Sequence, residues 1–374
     1  MLRYLTSGES HGKSLLAILD GMPAGLHVDK AGIDNELRRR MLGYGRGKRM
    51  AIESDKMQVL SGLRRSVTIG SPIALKVDNA DSSIDSLPVV LNPRPGHADL
   101  IGALKYGLGD VRSVLERASA RETVARVGVG AICKQLLDEF GIRIASHVIV
   151  IGGIAAETRK LPFSRIVQQA EKSPVRCADR VASELMCIEI DNASGERDTL
   201  GGAFEVIVKG VPPGLGSYAQ WDRRLDALLS RAVMSIQAIK GVSFGSGFEV
   251  AILRGSKVHD EIFYSRNKGF FRKTNNAGGL EGGMTNGEDI VLQAAMKPIA
   301  TLRKPLASVN IRTKKSIKAT VERSDVCAVP AAGIVAESAV AIEVANAMIE
   351  KFGGDSVAEM KRNYDGYLKQ LRKI

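Results

Sequence analysis

The run from Ser119 to Gly141 constrains the fold most, because it contains a helix start, a helical repeat and a helix stop in succession. Ser119 and Glu122 match a capping box, in which each side chain can bond the other's backbone N–H group. Apolar side chains then recur at helical spacing, and Gly141 stands where a helix commonly ends. These features predict a long amphipathic helix that begins at Ser119.

Other segments alternate between helix-like and strand-like patterns. Helical periodicity predicts further helices over residues 29–41, with Asp29 as N-cap, and over residues 98–106, 222–240 and 331–351. Apolar runs bounded by Gly or Pro turns predict strands at 15–19, 146–154 and 204–211. The stretch 142–217 as a whole is interpreted as strands, and no repeat or linker marks a domain boundary.

The charge balance restricts the ligands that this chain is expected to bind. Its 374 residues carry a net charge of +12 at pH 7, which favours nucleic acid, acidic membrane surfaces, or small phosphorylated and carboxylated molecules. Only 5% of the residues are aromatic, and the basic residues are scattered along the chain. These two observations argue against a nucleic-acid partner.

Membrane and metal functions are not expected either. The longest apolar run, residues 148–156, is shorter than the roughly 20 residues that a membrane span needs. The first residues lack an apolar stretch behind a basic start, so no signal peptide is predicted. Four cysteines show no metal-ligand spacing and are interpreted as reduced packing residues.

Residues 7–12, SGESHG, form the first candidate for a catalytic loop. Histidine is the side chain whose ordinary pKa lies nearest neutrality, and His11 lies between glycines that let a backbone approach a ligand closely. Lys13 and Ser14 also complete most of a phosphate-binding P-loop pattern. A P-loop must open a helix. The apolar run here ends within a few residues at Gly21, so a nucleotide hydrolase is disfavoured.

Four further stretches combine charged groups or exposed backbone with turn residues, which suits them to an anionic ligand. They are the glycine-rich loop at 43–49, residues 92–99 around His97, the predicted helix start at Ser119, and residues 274–289. A solvated loop or a packing role explains the first two stretches comparably well, and a purely structural cap explains the Ser119 helix start better when it is considered alone.

Taken together, longer segments resemble the chorismate synthase family. The three signature segments of that family resemble GESHGKSLLAILDGMP, ERASARETVARVGVGAI and RSDVCAVPAAGIVAESAV in this chain. Shorter family segments resemble GYGRG, RPGHAD, SIQAIKG and NAGGLEGG in the same order, and the resemblance spans residues 3 to about 352. Long motifs in a fixed order are far more specific than any one of them.

The resemblance implies an enzyme, a carbon–oxygen lyase of the shikimate pathway and of aromatic amino acid biosynthesis. It would convert 5-enolpyruvylshikimate-3-phosphate to chorismate and phosphate by an anti-1,4 elimination. Reduced FMN would be required without net redox change, with NADPH serving only as the reductant of FMN. The expected location is cytoplasmic, and the expected assembly is a homotetramer without nucleic-acid or membrane partners.

The same resemblance implies an α+β fold. It would be a single large β-α-β sandwich domain, with two mainly antiparallel sheets and helices packed between them. Residues 1–352 would form the catalytic domain, and residues 353–374 a basic C-terminal tail.

The resemblance also implies three sets of site residues. The catalytic residues would be His11, His97 and Asp325. The two histidines would donate protons, one towards the leaving phosphate and one towards the reduced flavin, with either assignment open, and Asp325 would act with flavin N5 in removing the C6 proton. The substrate-binding residues would be Ser10, Arg40, Arg46, Arg49, Arg94, Arg121 and Arg323. The FMN-binding residues would be Arg117, Ala118, Ser119, Gln237, Ala238, Gly282, Lys297, Pro298, Ile299, Ala300, Thr301 and Arg323.

Overall fold

A computed structural model describes residues 1–47, 55–266, 269–322 and 324–373. Of the expected site residues, Arg49 and Arg323 lie outside these ranges. The fold is α+β, with antiparallel sheets and helices, which confirms the expected class.

The helices and strands follow one another in a mixed order along the described ranges. The helices are α1 (Lys30–Met41), α2 (Asp99–Tyr106), α3 (Arg112–Ala118), α4 (Thr123–Asp138), α5 (Phe163–Lys172), α6 (Arg180–Gly195), α7 (Leu225–Met234), α8 (Gly255–Val258), α9 (Val329–Phe352) and α10 (Val357–Leu371). The strands are β1 (Arg3–Ser7), β2 (Ser14–Asp20), β3 (Gln58–Val59), β4 (Leu63–Arg64), β5 (Val67–Thr68), β6 (Ile73–Asp78), β7 (Arg143–Ile151), β8 (Ile154–Ala155), β9 (Gly202–Lys209), β10 (Ile239–Phe244), β11 (Ile262–Ser265), β12 (Gly269–Arg272), β13 (Leu280–Glu281), β14 (Met284–Thr285), β15 (Ile290–Met296), β16 (Ala307–Val309) and β17 (Ser316–Lys318).

Two sheets form the frame of the molecule. The first has the strand order β1-β2-β6-β3 and the second the order β10-β15-β9-β7-β8, and neighbouring strands in both are antiparallel. In β2 the side chains of Leu15, Ala17 and Leu19 are buried and the alternate ones face outward. This period of two is the pattern of a strand with one buried face. The strand at 14–20 also confirms that no helix follows the P-loop-like residues.

The helices α4 and α9 connect the two sheets. α4 contacts β2 and β6 of the first sheet, and α9 contacts β7 and β9 of the second. The two helices also pack against each other, and Gly130 of α4 lies so close to α9 that an added Cβ would be 2.3 Å from the Ser338 Cβ. α9 has the length and composition of a membrane span, but 89% of the span-like window is buried inside the molecule. It is therefore the central core helix.

A charged cluster, here called the Glu337 cluster, lies buried where α1, α4, α9 and β7 meet. It consists of Glu337, Arg39, Lys134, Arg176 and Ser146. The Glu337 carboxylate accepts hydrogen bonds from Arg39 Nη1 at 2.8 Å, Lys134 Nζ at 2.5 Å and Ser146 Oγ at 2.7 Å. Burial alone would raise the pKa of Glu337, but the neighbouring cations outweigh burial and hold the pKa far below its ordinary value.

Several predicted elements are found where the sequence indicated them. Asp29 caps α1 by accepting from the backbone N–H groups of Ala31 and Gly32, and helices occur at the predicted positions near 98–106 and 331–351. Strands β2, β7 and β9 correspond to the predicted apolar runs.

Three predictions about elements were wrong. The predicted capping box does not form, because Ser119 accepts from Arg121 N at 3.3 Å while a 3₁₀ turn covers residues 120–122 and α4 begins at Thr123. The helix predicted over 222–240 ends at Met234, since residues 239–244 are needed as strand β10 beside β15. The stretch 142–217 is not strands throughout, because it contains α5 and α6.

The C-terminal residues form α10, which packs on the end of α9. Val357 and Met360 are buried, and the Tyr364 ring lies edge-on to Phe352 at 5.2 Å between centroids. Asn363 Nδ2 donates to the Phe352 carbonyl at 2.7 Å.

Candidate active site

The loop at residues 7–12 is held against helix α3 by one acidic residue. His11 N donates to Glu116 Oε2 at 2.8 Å, and His11 Nδ1 lies 3.0 Å from both carboxylate oxygens. Ser10 N donates to the Glu116 carbonyl at 3.1 Å. The Ser119 hydroxyl donates to Ser10 Oγ at 3.3 Å, so two expected site residues from distant parts of the chain meet here.

Three arginines and two carboxylates form the charged part of the site. Arg40 lies at the end of α1, where its Nε donates to Thr123 Oγ1 at 2.9 Å and its Nη2 to the Ala120 carbonyl at 2.9 Å. Burial, together with the charges of Arg46 and Arg121, lowers the pKa of Arg40 to about 9, although Asp55 and Asp325 act in the opposite direction. Arg40 therefore keeps its charge at neutral pH, in a setting where a bound anion would stabilise it.

Arg121 links this cationic group to the loop that carries His11. Its guanidinium donates to Asp55 Oδ2 at 2.9 Å and to Asn79 Oδ1 at 2.9 Å. Asn79 Nδ2 in turn donates to the carbonyl of Gly12 at 2.7 Å. Arg121 and the His11 loop thus share one buried partner, which fixes them relative to each other.

Asp325 lies on the other side of the arginine group. Its carboxylate pairs with Arg46 Nη1 at 2.7 Å and accepts from Gly47 N at 2.6 Å. Gly47 also lies close to Ser324, where an added Cβ would be 3.2 Å from the Ser324 carbonyl oxygen. The loop after α1 and the segment before α9 therefore pack tightly at Gly47, where a side chain would have little room.

His97 belongs to a second buried group. Its Nδ1 lies 2.5 Å from Asp99 Oδ1, while Arg94 Nε donates to Asp99 Oδ2 at 2.8 Å and Arg94 Nη1 donates to Thr301 Oγ1 at 2.7 Å. Burial alone would raise the pKa of Asp99, but the hydrogen bonds from His97 and Arg94 outweigh it and hold the pKa far below its ordinary value. Asp99 is therefore ionised at neutral pH.

The segment 297–301 lies beside the His97 loop. Lys297 Nζ donates to the Gly96 carbonyl at 2.7 Å, and Lys297 N donates to the Ala238 carbonyl at 3.0 Å. Burial and the charge of Lys240 lower the pKa of Lys297. Ala238 has a positive φ of 67°, which is uncommon for a residue with a Cβ and marks a constrained turn between α7 and β10. Gln237 and Ala238 are thus in a turn and not in the last turn of a helix, contrary to the prediction.

Arg117 and Gln237 are joined through Glu122. Arg117 Nη2 donates to Thr6 Oγ1 at 3.0 Å, and Thr6 Oγ1 donates to Glu122 Oε1 at 2.7 Å. The Gln237 amide donates to Glu122 Oε2 at 3.5 Å.

Gly282 is in a different setting. It lies in the β13–β14 hairpin, where the nearest atom to an added Cβ is Tyr218 Cβ at 3.9 Å. The contacts described for it do not include the other expected FMN residues.

Sequence reasoning missed four polar residues that organise the site. They are Asp55, Asn79, Glu116 and Glu122. Glu116 carried a signal, because it is an acidic residue within the motif that also supplies Arg117 and Ser119. Asn79 and Asp55 carried none, since their partners are dozens of residues away in the sequence. Among the described residues, no group of His, Cys, Asp and Glu side chains could hold a metal ion.

Comparison with known proteins covers the whole chain. The chorismate synthase family profile matches residues 2–349. The chorismate synthases of Geobacter metallireducens and Geobacter sulfurreducens are 55% and 54% identical to it, with each alignment covering 100% of both proteins. A crystal structure of chorismate synthase is 43% identical and superposes with a TM-score of 0.83, over 100% of this chain and 99% of the other. With a full-length match in profile, sequence and fold, the chain belongs to the chorismate synthase family.

Proposed function

We propose that His11, His97 and Asp325 are the residues with which this chain carries out the chemistry of its family. The chain is a chorismate synthase by its full-length relatives. It is a carbon–oxygen lyase of the shikimate pathway that eliminates phosphate from 5-enolpyruvylshikimate-3-phosphate to give chorismate. The family uses reduced FMN, although the reaction has no net redox change.

The substrate-binding residues are proposed to be Ser10, Arg40, Arg46, Arg94 and Arg121, together with Arg49 and Arg323 outside the described ranges. The substrate carries a phosphate and two carboxylates, and arginine forks match both kinds of anion. The observation that carries this proposal is the buried setting of Arg40, whose pKa is lowered to about 9 by burial and by two neighbouring arginines. A bound anion would relieve that mutual repulsion, so this group of cations favours a phosphate or carboxylate ligand.

The described residues also fit FMN. Gln237 Oε1 is buried and accepts no hydrogen bond from the described part of the chain, so it can accept from a ligand N–H group such as those of the flavin ring. Lys297 and Arg117 supply cations suited to a phosphate. Reduced flavin, when bound, supplies electron density that eases the departure of the phosphate. The residues proposed to hold it are Arg117, Ala118, Ser119, Gln237, Ala238, Gly282, Lys297, Pro298, Ile299, Ala300 and Thr301, with Arg323.

The two histidines are assigned by their neighbours. His11 shares the loop that Asn79 ties to Arg121, so we assign it the proton transfer to the leaving phosphate. His97 shares its loop with Gly96, which Lys297 contacts, so we assign it to the flavin side. Asp325, held by Arg46 and Gly47, is assigned to the removal of the C6 proton. Preorganised cations then stabilise the charge that develops as the C–O bond breaks.

The remaining expectations complete the proposal. We propose that reduced FMN is supplied from outside, with NADPH only as its reductant, because the sequence has no GxGxxG fingerprint of a nicotinamide-binding module. The enzyme is proposed to be cytoplasmic and to have neither nucleic-acid nor membrane partners. Residues 1–352 are proposed to be one β-α-β sandwich domain with α4 and α9 in the middle layer, and residues 353–374 its basic C-terminal extension.

A homotetramer is proposed from two exposed apolar patches. The sheet patch consists of Leu5, Leu16 and Ile18 on the outer face of β1 and β2. The hairpin patch consists of the exposed side chains of Ile262 and Tyr264 on β11 and Phe270 on β12. A tetramer with dihedral symmetry needs two different self-complementary interfaces on each chain, and these two patches supply candidates for both.

The decisive experiment is an anaerobic assay with 5-enolpyruvylshikimate-3-phosphate and chemically reduced FMN. Chorismate absorbance and released phosphate are followed together. We expect equal amounts of both products, and neither with oxidised FMN. Release of phosphate without chorismate would show that the enzyme hydrolyses the substrate instead of eliminating phosphate, and would contradict the proposal. The absence of both products from a folded sample that binds FMN would contradict it as well.

A further inference from the structure

Glu116 makes an unusually complete set of contacts with Ser10 and His11. Its side chain is 1% exposed. The carboxylate accepts from His11 N at 2.8 Å and faces His11 Nδ1 at 3.0 Å, and its backbone carbonyl accepts from Ser10 N at 3.1 Å. A single residue of α3 therefore fixes both the backbone and the ring of the histidine.

Further charged groups of the described residues lie near this pair. Arg112 Nη1 lies 3.7 Å from Glu116 Oε1, and Arg112 also pairs with Glu322 at 3.1 Å. Asp81 Oδ2 lies 4.0 Å from His11 Nε2. Burial alone would raise the pKa of Glu116, but its hydrogen bonds from His11 and the Arg112 charge outweigh burial, and the pKa lies below its ordinary value. Glu116 is therefore an anion at neutral pH.

An ionised carboxylate can only accept hydrogen bonds, so the nitrogen that faces it must carry the proton. His11 Nδ1 is consequently the N–H nitrogen, and Nε2 is the ring nitrogen that does not face Glu116 and that would exchange a proton with a ligand. The carboxylate holds the imidazole in one tautomer and one orientation, in the way that a buried acid orients a catalytic histidine elsewhere.

We propose that Glu116 is a positioning residue, which fixes the His11 ring and selects Nε2 as its working nitrogen. This inference rests on the proposed role of His11 as proton donor. The pair formed by His97 and Asp99 is less separable, because Arg94 donates to both Asp99 oxygens and also lies 3.1 Å and 3.4 Å from the two nitrogens of His97.

The test is Glu116→Gln, measured by steady-state kinetics. We expect kcat to fall by about 10–100-fold, the usual effect of removing a residue that orients a catalytic group, with KM for 5-enolpyruvylshikimate-3-phosphate nearly unchanged. Glu116→Asp keeps a carboxylate acceptor for His11 Nδ1 and should restore part of the lost kcat.

Glu184→Gln is the matched control. It removes the same charge from an exposed residue of α6, outside the proposed site, and it should leave kcat and KM as they are. A Glu116→Gln enzyme with wild-type kcat, or one in which KM rises while kcat is unchanged, would overturn the proposal. A His11→Ala enzyme with wild-type turnover would instead remove the underlying role of His11, so the two failures are distinguishable.

A second measurement does not depend on activity or on the stability of the Glu116 variants. Nitrogen-15 NMR of histidine-labelled wild-type protein distinguishes the protonation of the two ring nitrogens, and the His11 signals are assigned by their loss in His11→Asn. We expect a proton on Nδ1 throughout the neutral range. A neutral His11 with its proton on Nε2 alone would overturn the proposal.

Discussion

At the scale of single residues, each expected catalytic side chain has a buried or constrained partner. His11 faces Glu116, His97 faces Asp99, and Asp325 is bound by Arg46 and Gly47. These partners hold the reactive groups in one orientation before any ligand arrives. Preorganisation of this kind reduces the reorganisation that accompanies charge development in the transition state.

The two histidines should be required for turnover. His11→Ala and His97→Ala are each expected to lower kcat by about 10²-fold or more, the scale of a lost general acid. The measurement is the anaerobic assay described above, with thermal melting to check that the fold is intact. His27→Ala, which removes a histidine outside the proposed site, is the control and should keep full turnover. Wild-type turnover in either site variant would remove that residue from the mechanism.

Sequence motifs identified the reactive residues more readily than their partners. His11, His97 and the arginines lie in glycine- or proline-rich loops, where unusual composition marks them. Asn79 and Asp55 lie in ordinary sequence, and their importance comes from contacts with Arg121, 42 and 66 residues away. Contacts over such distances are products of the tertiary fold, and local patterns in the sequence do not report them.

At the scale of elements, the packing of α4 on α9 depends on small residues. Gly130→Ala should destabilise the protein by about 1–3 kcal/mol, the usual cost of overpacking, because the new methyl group would lie 2.3 Å from Ser338 Cβ. Gly366→Ala, in the middle of α10 and with no atom within 4 Å of its added Cβ, is the matched control. It should stabilise by about 0.5–1 kcal/mol through helix propensity. Thermal melting of both variants checks the contrast, and a neutral Gly130→Ala would contradict it.

The Glu337 cluster should matter most above pH 4. Glu337→Gln is expected to cost about 3–5 kcal/mol at pH 7, because it removes the fully buried carboxylate that Arg39, Lys134 and Arg176 share. The three cations would keep only the less buried carboxylates of Glu36 and Glu171. The folded-state pKa of Glu337 is depressed, so its contribution is present above the unfolded pKa of about 4.3. It is lost as pH falls below that value. The stability difference between wild type and variant should therefore shrink from pH 7 to pH 3.5.

Glu343 provides the control for that prediction on the same helix. Burial raises the pKa of Glu343, and the Arg231 charge only partly opposes it. Neutralising this side chain removes an unfavourable buried charge, so Glu343→Gln should be neutral or slightly stabilising at pH 7. Chemical denaturation of wild type and both variants at pH 7 and pH 3.5 gives the free energies of unfolding that are compared. Equal effects of the two substitutions would contradict the assignment of opposite pKa shifts.

Helices and strands could be predicted from the sequence where no long-range contact opposed the local pattern of apolar residues. α1 has a side-chain cap and clear periodicity, so its limits were predictable. The pattern of α7 continued past its true end because Ile236 and Ile239 have helical spacing, yet the edge of the second sheet requires residues 239–244 as a strand. In the same way, α5 and α6 lie between the apolar runs of β7 and β9, and the whole stretch was interpreted as strands. Sheet pairing is long-range, so it overrides periodicity where the two disagree.

At the scale of the whole molecule, the two apolar patches make a prediction about assembly. Ile18→Asp in the sheet patch and Ile262→Asp in the hairpin patch should each reduce the proposed tetramer to a dimer, because each places a charge in one interface. The double variant should be monomeric. Light scattering coupled to size-exclusion chromatography gives the masses, and Val89→Asp, at an exposed valine outside both patches, is the control. Tetramers in both single variants would contradict the assignment of these patches as interfaces.

The contacts that build the site join remote parts of the chain, and this affects how the protein folds during its synthesis. Gly47 binds Asp325 across 278 residues, and Arg94 binds Thr301 across 207. Contacts of such separation form late and slowly. During synthesis the first sheet emerges long before α9 is available to cover the core, leaving apolar surface open to chaperones or to aggregation. A nascent chain therefore has no catalytic activity until residues 324–325 have packed against the loop after α1.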